Sequence, residues 1–213
     1  MKIAVVAANG RVARKVITEA IKRGHDVTAF GRHEENNTDA SNYIIKDILD
    51  LTKEDLVGYD VVVDAFGTWA SETMHLHTDT SQHLADLLEN TNTRLLIVGG
   101  AGSLYTNKEH TETVSSGPDF PHDWLPVANA MADALNKLRK RNDVHWTYLS
   151  PAANFVADGE ASGKYTFANE EFTLNRNNES SISYADYADY ASAMLDVIES
   201  GKHDQERISV FQD

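Results

Sequence analysis

A short turn near the start of the chain combines a glycine, small residues and an arginine. It covers residues 7–13, AANGRVA, between the apolar run Ile3–Ala7 and a helical pattern that begins at Val12. In such turns a glycine lets the backbone approach a phosphate, and the N-terminus of the helix attracts the negative charge. The residues that we predict to contact a dinucleotide here are Ala8, Asn9, Gly10, Arg11 and Val12. A tight turn without a ligand is the alternative.

Two arginines lie at this predicted phosphate-binding end. Arg11 is in the first turn, and Arg32 follows the second predicted strand, Asp26–Phe30, with no acidic residue before Glu34. An acidic residue at the end of that strand binds the ribose 2′-hydroxyl of NAD, whereas an arginine accommodates the 2′-phosphate of NADP. The pair therefore favours NADP over NAD as the cofactor, with two solvated surface arginines as the alternative.

Further candidate residues follow the third and fourth predicted strands, Tyr43–Ile45 and Asp60–Ala65. Ligands of open α/β sheets bind beyond the carboxyl ends of the strands, so these positions belong to the same predicted site. Asp47 is predicted to bind the adenine amino group. The residues predicted to face the nicotinamide ribose are Ala65, Phe66 and Gly67.

Strand and helix patterns alternate along the rest of the chain. Further strands are predicted at Arg94–Val98, Val144–Leu149 and Arg207–Phe211, and helices at Val12–Ile21, Lys53–Val57, Thr78–Leu88, Val127–Lys140 and Tyr184–Glu199. This alternation predicts one α/β domain, residues 1–213, with a parallel sheet and right-handed crossovers. Lys164–Phe167 and Glu171–Leu174 are predicted to pair as a small hairpin.

Composition excludes several kinds of function. The 213 residues include 19 Lys and Arg against 33 Asp and Glu, a net charge of -14, and no cysteine. The acidic balance argues against nucleic acid and anionic membranes as partners, and the lack of cysteine removes thiol chemistry and disulfides. With no signal-like or membrane-spanning apolar run, a cytoplasmic protein that acts on a small molecule is expected.

Two other arrangements of reactive residues are weaker. His75, His77 and His83 do not share one helical face, so no metal site is predicted. Ser103 is not part of a GxSxG sequence, which argues against a hydrolase nucleophile.

Six segments spread over nearly the whole chain carry a resemblance to a known family. They are residues 1–16, 46–50, 94–105, 146–155, 162–167 and 181–199. In these segments the chain resembles the atypical short-chain dehydrogenase/reductases, in particular the small bacterial NADH-flavin reductase group, akin to NmrA-like NAD(P)-binding proteins. The resemblance implies a Rossmann-like doubly wound parallel sheet, a small C-terminal substrate region at about 151–183, and NAD(P) as the cofactor.

The resemblance also implies roles for particular residues. It assigns Gly10, Arg11 and Val12 to the phosphate loop and Arg32 to the basic position after the second strand. The other cofactor positions that it implies are Asp47, Ile48, Phe66, Gly67, Gly99, Gly100, Ala101, Ser150, Pro151 and Ala152. Ala7 and Ala13 depart from the family, which usually has glycine at both positions.

A catalytic acid is not evident, and no catalytic residue is assigned. The tyrosine and lysine of orthodox members, four residues apart on one helix, have no counterpart in Val127–Lys140. Hydride transfer to a flavin asks less of the protein, because the cofactors carry the chemistry. Aromatic residues that could wall a flavin or quinone-like acceptor are Trp69, Tyr105, Trp124 and Phe155. Two functions therefore remain open: an NAD(P)H-dependent reductase, and a non-catalytic NAD(P)-binding redox sensor of NmrA type.

Overall fold

The computed structural model describes residues 1–156, 162–178, 181–183 and 188–212. The strands are β1 (Lys2–Val6), β2 (Asp26–Gly31), β3 (Asn42–Ile45), β4 (Val61–Asp64), β5 (Arg94–Val98), β6 (His145–Ser150), β7 (Asn154–Val156), β8 (Tyr165–Ala168), β9 (Ser181–Ser183) and β10 (Glu206–Gln212). The helices are α1 (Arg11–Lys22), α2 (Lys53–Leu56), α3 (Leu76–Leu87), α4 (Leu125–Leu138) and α5 (Ala188–Ser200). Residues 184–187, the predicted start of the last helix, lie outside the described residues.

Eight strands form the main sheet, in the order β3-β2-β1-β4-β5-β6-β10-β8. The strands from β3 to β10 in this order pair in parallel, and β8 is antiparallel to β10 at the edge. Helices α1 and α5 pack on one face, and α3 and α4 on the other. This arrangement confirms the predicted Rossmann-like doubly wound fold.

Strand β1 lies in the middle of the sheet because its side chains are apolar on both faces. Ile3 and Val5 pack into the core beneath α1 and α5, whereas Ala4 and Val6 pack into the opposite core. All four are fully buried. Burial of a valine or isoleucine side chain contributes about 1.5–3 kcal/mol to the stability of the fold. The two cores therefore fix which side chains of the strand face each side of the sheet.

The apolar stripe of α1 covers the sheet next to β1. Ala13, Val16, Ile17 and Ala20 are fully buried, as their helical spacing predicts. The helix ends before Gly24, whose φ of 81° is in the left-handed region that favours glycine after a helix.

The predicted hairpin of residues 164–174 is wrong. β8 pairs with β10, with Val210 opposite Phe167, and Glu171–Leu174 forms no strand. Glu171 instead makes an isolated bridge to Tyr105. β8 instead covers the otherwise free edge of β10, which lies some forty residues away in the sequence.

A second sheet of two strands packs beside the main one, with Phe155 against the core beneath α1 and α5. β7 and β9 pair in parallel, with Phe155 opposite Ile182. Part of the predicted substrate region, residues 157–161 and 179–180, lies outside the described residues. Among the helices described, none combines the length and apolarity that crossing a bilayer requires.

Candidate functional site

The carboxyl ends of β1, β2 and β4 border a cavity of about 260 Å³, which we call the switch-point cavity. The sheet order reverses direction at β1, and ligands of open α/β sheets bind at such a point. The predicted cofactor residues that line this cavity are Asn9, Gly10, Arg32, Asp47, Ile48, Ala65, Phe66 and Gly67. The fold therefore brings residues from four separate turns to one place.

The turn after β1 keeps its shape although two of its three expected glycines are alanines. Ala7 has a φ of 53°, a left-handed conformation that glycine adopts more easily. The Gly10 N–H donates to the Ala7 carbonyl at 3.0 Å, and the Ala8 N–H donates to the Phe30 carbonyl at 3.0 Å. A Cβ on Gly10 would lie 3.3 Å from the Ala7 oxygen, so the turn leaves little room for any side chain there.

Three predicted residues of this turn do not line the cavity. Ala8 is fully buried in the core, and Val12 packs partly against it. Arg11 is exposed at the first position of α1. Ala8 and Val12 therefore pack in the core, and Arg11 lies on the surface of the turn. Of the five residues, Asn9 and Gly10 line the cavity.

Asn9 joins the first turn to the loop after β2. Its side-chain amide donates to the Glu35 carbonyl at 2.8 Å and to the Tyr43 hydroxyl at 3.0 Å. Its Oδ1 atom accepts from the Asn37 N–H at 3.0 Å. The polar atoms of this side chain thus join the turn after β1 to the loop after β2. The sequence pattern does not reveal this role.

The second turn requires glycine for a packing reason. A Cβ on Gly31 would lie 2.1 Å from the Tyr43 hydroxyl oxygen. That hydroxyl donates to the His33 carbonyl at 2.8 Å, and His33 lines the cavity. Tyr43 therefore sets the course of the loop that carries Arg32.

Positive charge gathers on this side of the cavity. The Arg32 Nε donates to the His33 Nε2 at 3.2 Å. Lys46 also lines the cavity and pairs with Asp55 at 2.6 Å. Lys46 is not among the residues predicted from the sequence. It follows β3 directly, and a position just after this strand is the reason why Asp47 was predicted. Asp47 uses Oδ1 to accept the Leu49 N–H, which caps the turn that follows.

The glycines after β4 and β5 differ in what surrounds them. A Cβ on Gly67 would meet no protein atom within 4 Å, although this residue lines the switch-point cavity. By contrast, a Cβ on Gly99 would lie 2.2 Å from the Tyr148 ring, and one on Gly100 would lie 2.9 Å from the Met131 sulfur. Gly67 thus borders open space, whereas the other two glycines make room for the protein's own side chains.

A second cavity of about 200 Å³ lies beyond the carboxyl ends of β5 and β6, and we call it the aromatic cavity. Three of the four predicted aromatic residues line it, namely Trp69, Trp124 and Phe155. The Trp69 and Trp124 rings meet edge to face with centroids 6.1 Å apart. The predicted cofactor residues that line it are Gly99, Gly100, Pro151 and Ala152. Its lining therefore combines aromatic rings with small residues.

Tyr105 and Ser150 lie elsewhere. The Tyr105 ring stacks on His110 with centroids 4.3 Å apart and has the Arg207 guanidinium 5.8 Å from its own centroid. Ser150 is fully buried, and its hydroxyl accepts from Arg207 at 3.5 Å. Neither lines the aromatic cavity, so Ser150 supports the loop that carries Pro151 from beneath.

Arg207 is a buried arginine that the sequence reasoning missed. Its side chain is fully buried, and it donates to the Ser103 carbonyl at 3.0 Å and to the Glu170 carboxylate from Nε at 2.7 Å. Burial lowers the pKa of Arg207, and the Glu170 charge opposes that change. An ion pair this deep is stable only with such partners, so Arg207 fixes the loop after β5 to the segment after β8.

Asp64, the last residue of β4, is buried under the turn between the two cavities. Its Oδ1 atom accepts the Phe66 N–H at 3.0 Å. Burial raises the pKa of Asp64 to about 6, although that hydrogen bond opposes the change. His77, Thr80 and Tyr148 border the same void of about 10 Å³. Burial lowers the pKa of His77 and raises that of Tyr148 to about 12.

His75, His77 and His83, in and just before α3, each contact a different partner. His77 Nε2 contacts the Thr68 carbonyl at 3.1 Å, His83 Nε2 contacts the Leu51 carbonyl at 3.0 Å, and His75 lies 3.9 Å from Asp79. Across the described ranges of the chain, no group of three or more His, Asp or Glu side chains is arranged to hold a metal ion.

Comparison with known proteins identifies the family. The profile of a family described as NAD(P)H-binding matches residues 7–197. The chain belongs to this family. A structure from Streptococcus pneumoniae, named as a proposed NADH-flavin reductase, is 46% identical, with a TM-score of 0.96 and complete coverage of both chains. These matches confirm the resemblance to the atypical short-chain dehydrogenase/reductases.

Other similar proteins extend over the same length. The uncharacterized protein YwnB of Bacillus subtilis is 38% identical over 215 residues, covering 100% of this chain and 99% of its own. A proposed NAD-dependent epimerase/dehydratase from Bacillus halodurans is 20% identical with a TM-score of 0.76, covering 100% of this chain and 94% of its own. The second similarity shows a shared fold.

The open space at Gly67 predicts a selective loss of nucleotide binding. We expect Gly67→Val to raise the Kd for NADPH at least about tenfold, which is about 1.4 kcal/mol, because the side chain enters the cavity. The free energy of unfolding should change by less than about 0.5 kcal/mol, since no protein atom is displaced. The control is Gly99→Ala, which should instead lower stability by about 1–3 kcal/mol through overpacking on Tyr148. Fluorescence titration and urea unfolding measure the two quantities, and unchanged NADPH affinity in folded Gly67→Val contradicts the assignment.

The buried carboxyl of Asp64 predicts a pH-dependent stability difference. Burial raises the pKa of Asp64 from 3.8 to about 6. The protonated carboxyl therefore stabilises the fold fully below about pH 3.8, and this contribution is lost as the pH rises through about 6. The free energy of unfolding of Asp64→Asn, relative to that of the parent, should therefore rise by up to about 3 kcal/mol between about pH 4 and about pH 8. Urea unfolding across this range measures it. Asp60→Asn, an exposed site at the other end of the strand, controls for the lost charge. A pH-independent difference would refute the burial argument.

Proposed function

We propose that the protein is an NAD(P)H-dependent reductase that transfers a hydride to a planar flavin or quinone-like acceptor. One observation carries this proposal: an aromatic-walled cavity lies beside the switch-point cavity, and a single loop serves both. Gly67 lines the switch-point cavity, and Trp69, two residues later, lines the aromatic cavity. A nucleotide in one and a flat ring in the other would therefore meet at this loop.

The switch-point cavity has groups suited to each part of the nucleotide. The Gly10 turn and the start of α1 would hold the pyrophosphate. Asp47 and Ile48 would lie by the adenine, and Phe66 and Gly67 by the nicotinamide riboside. Arg32 favours the 2′-phosphate of NADP over the hydroxyl of NAD.

The protein's own contribution is orientation and exclusion of water. When bound, the reduced nicotinamide supplies a hydride, and the acceptor gains one further proton from solvent, so that the acceptor is reduced as the nucleotide is oxidised. Trp69 and Trp124 provide flat apolar faces on which a ring can stack. Such a transfer needs no tyrosine–lysine pair, which agrees with the sequence of α4.

The similar protein from Streptococcus pneumoniae supports the same class of acceptor through its name, a proposed NADH-flavin reductase. The other hypothesis, a redox sensor of NmrA type, requires the nucleotide to bind without turnover. We prefer the reductase because an aromatic cavity next to the nucleotide offers a place for an acceptor ring.

The reductase proposal predicts a defect confined to the acceptor in Trp69→Ala. Trp69 is 65% exposed, so the variant should fold normally. We expect the KM for menadione or riboflavin to rise at least about tenfold, since ring stacking is lost, while the Kd for NADPH stays within about twofold. Steady-state oxidation of NADPH and fluorescence titration measure the two effects. Leu174→Ala, an exposed apolar residue outside both cavity linings, is the matched control. Nucleotide binding without oxidation by any flavin or quinone would favour the sensor.

The NADP preference predicts a change in Arg32→Asp. We expect the ratio of kcat/KM for NADPH to that for NADH to fall at least about tenfold, because a carboxylate repels the 2′-phosphate and accepts the 2′-hydroxyl. Arg14→Asp makes the same charge change on the exposed side of α1 and should leave the ratio as it is. A ratio that is equal in the parent and Arg32→Asp would remove the cofactor argument.

A further inference from the structure

The described lining of the aromatic cavity contains no charged side chain. It consists of glycine, alanine, valine, proline, methionine and aromatic residues, together with the hydroxyl of Ser103. The stretches outside the described ranges, 157–161, 179–180, 184–187 and 213, contain no lysine, arginine or histidine in their sequence. No cation therefore comes from those stretches to offset the apolar lining.

The glycine-rich turn after β5 looks like an anion site, but its first two N–H groups are occupied. The Gly99 N–H donates to the Leu149 carbonyl at 2.9 Å. The Gly100 N–H donates to the Tyr148 hydroxyl at 3.2 Å. Since a backbone nest binds a phosphate through free N–H groups, these two residues have no donor left for one.

The start of α4 also borders the cavity, and it is poorly suited to an anion. Pro126 stands in its first turn and has no N–H to donate. Asp123 comes two residues before the first residue of the helix and places a carboxylate where an anion would otherwise be attracted.

Exposed acidic side chains flank lining residues of the cavity in the sequence, and we call them the acidic mouth. Asp119 and Asp123 are exposed and adjoin the lining residues Phe120 and Trp124 in the sequence. Glu72 is exposed three residues after Trp69. Lys108 is the single lysine or arginine between residues 103 and 124. Together with the net charge of -14, these groups repel an approaching anion.

The aromatic cavity is also small. Its volume of about 200 Å³ is below the roughly 300–1,000 Å³ of most sites for drug-sized ligands. A compact ring fits this space, whereas a long polar chain would have to extend past the acidic mouth.

From the uncharged lining, the occupied N–H groups and the acidic mouth, we infer that the cavity selects acceptor rings that carry no phosphate. This inference rests on the proposed reductase function and narrows its acceptor to neutral rings, such as riboflavin or a simple quinone, in preference to flavin mononucleotide. A phosphate loses hydration at the mouth and meets a lining without a charged side chain, in which the Gly99 and Gly100 N–H groups are already paired.

Riboflavin and flavin mononucleotide provide a matched pair for the test, since they share one ring system and differ by the phosphate. We expect kcat/KM for riboflavin to exceed that for flavin mononucleotide at least about fivefold at low ionic strength, and the gap to narrow as added salt screens the acidic mouth. Equal values, or a preference for the phosphorylated flavin, overturn the inference and leave the reductase proposal intact. Oxidation of NADPH by neither flavin nor menadione overturns the reductase proposal itself and, with it, this inference.

Charge reversal at the mouth separates the local effect from the overall charge. Asp123→Lys should lower the ratio of riboflavin to flavin mononucleotide kcat/KM at least about threefold, because the new cation pairs with the phosphate. Asp26→Lys changes the net charge equally at the exposed amino end of β2, on the opposite edge of the sheet, and should leave the ratio unchanged. Equal effects of the two variants would show that overall charge, and not this mouth, selects the acceptor.

Discussion

The burial of β1 between β2 and β4 is the constraint on which the rest of the molecule depends. All four of its inner residues are fully buried, so the strand must lie in the middle of the sheet. The chain first builds outward through β2 and β3, then crosses to the other side of β1 for β4. Connections that leave in opposite directions open a crevice above β1. The turns that carry Gly10, Arg32 and Phe66 meet at this crevice because of that strand order.

Residues of one type serve opposite purposes around this crevice. Gly67 borders open space, whereas Gly31 and Gly99 are glycines because Tyr43 and Tyr148 occupy the volume that a side chain would need. Asn9 lines the crevice, yet the polar atoms of its side chain bind the loop after β2. A residue at a strand end is therefore assigned a role by its neighbours in space, and the support of the loops is as much a part of the site as its lining.

Local periodicity predicted the parallel strands and their helices, because each is specified by its own apolar spacing. The hairpin at 164–174 was predicted wrongly, since β8 pairs with the distant edge of β10 and no local pattern records that choice. Arg207 was missed for a similar reason: one arginine in a strand reads as exposed, and its burial depends on Glu170 and Ser103 from other parts of the chain. Several of the residues predicted at the strand ends lie together because topology alone brings these ends to one edge of the sheet, and their contact with a cofactor stays a prediction.

The two alanines that occupy expected glycine positions after β1, Ala7 and Ala13, have opposite consequences for the energy of the fold. The left-handed Ala7, with a φ of 53°, is disfavoured by about 1–2 kcal/mol relative to its usual conformation. Ala13, fully buried within α1, favours that helix by about 1 kcal/mol over a glycine at the same position. The two effects offset each other to a large extent, so alanine at both positions costs the fold little free energy. A turn of this kind can consequently carry alanine at two of its three glycine positions and keep its hydrogen bonds and its shape.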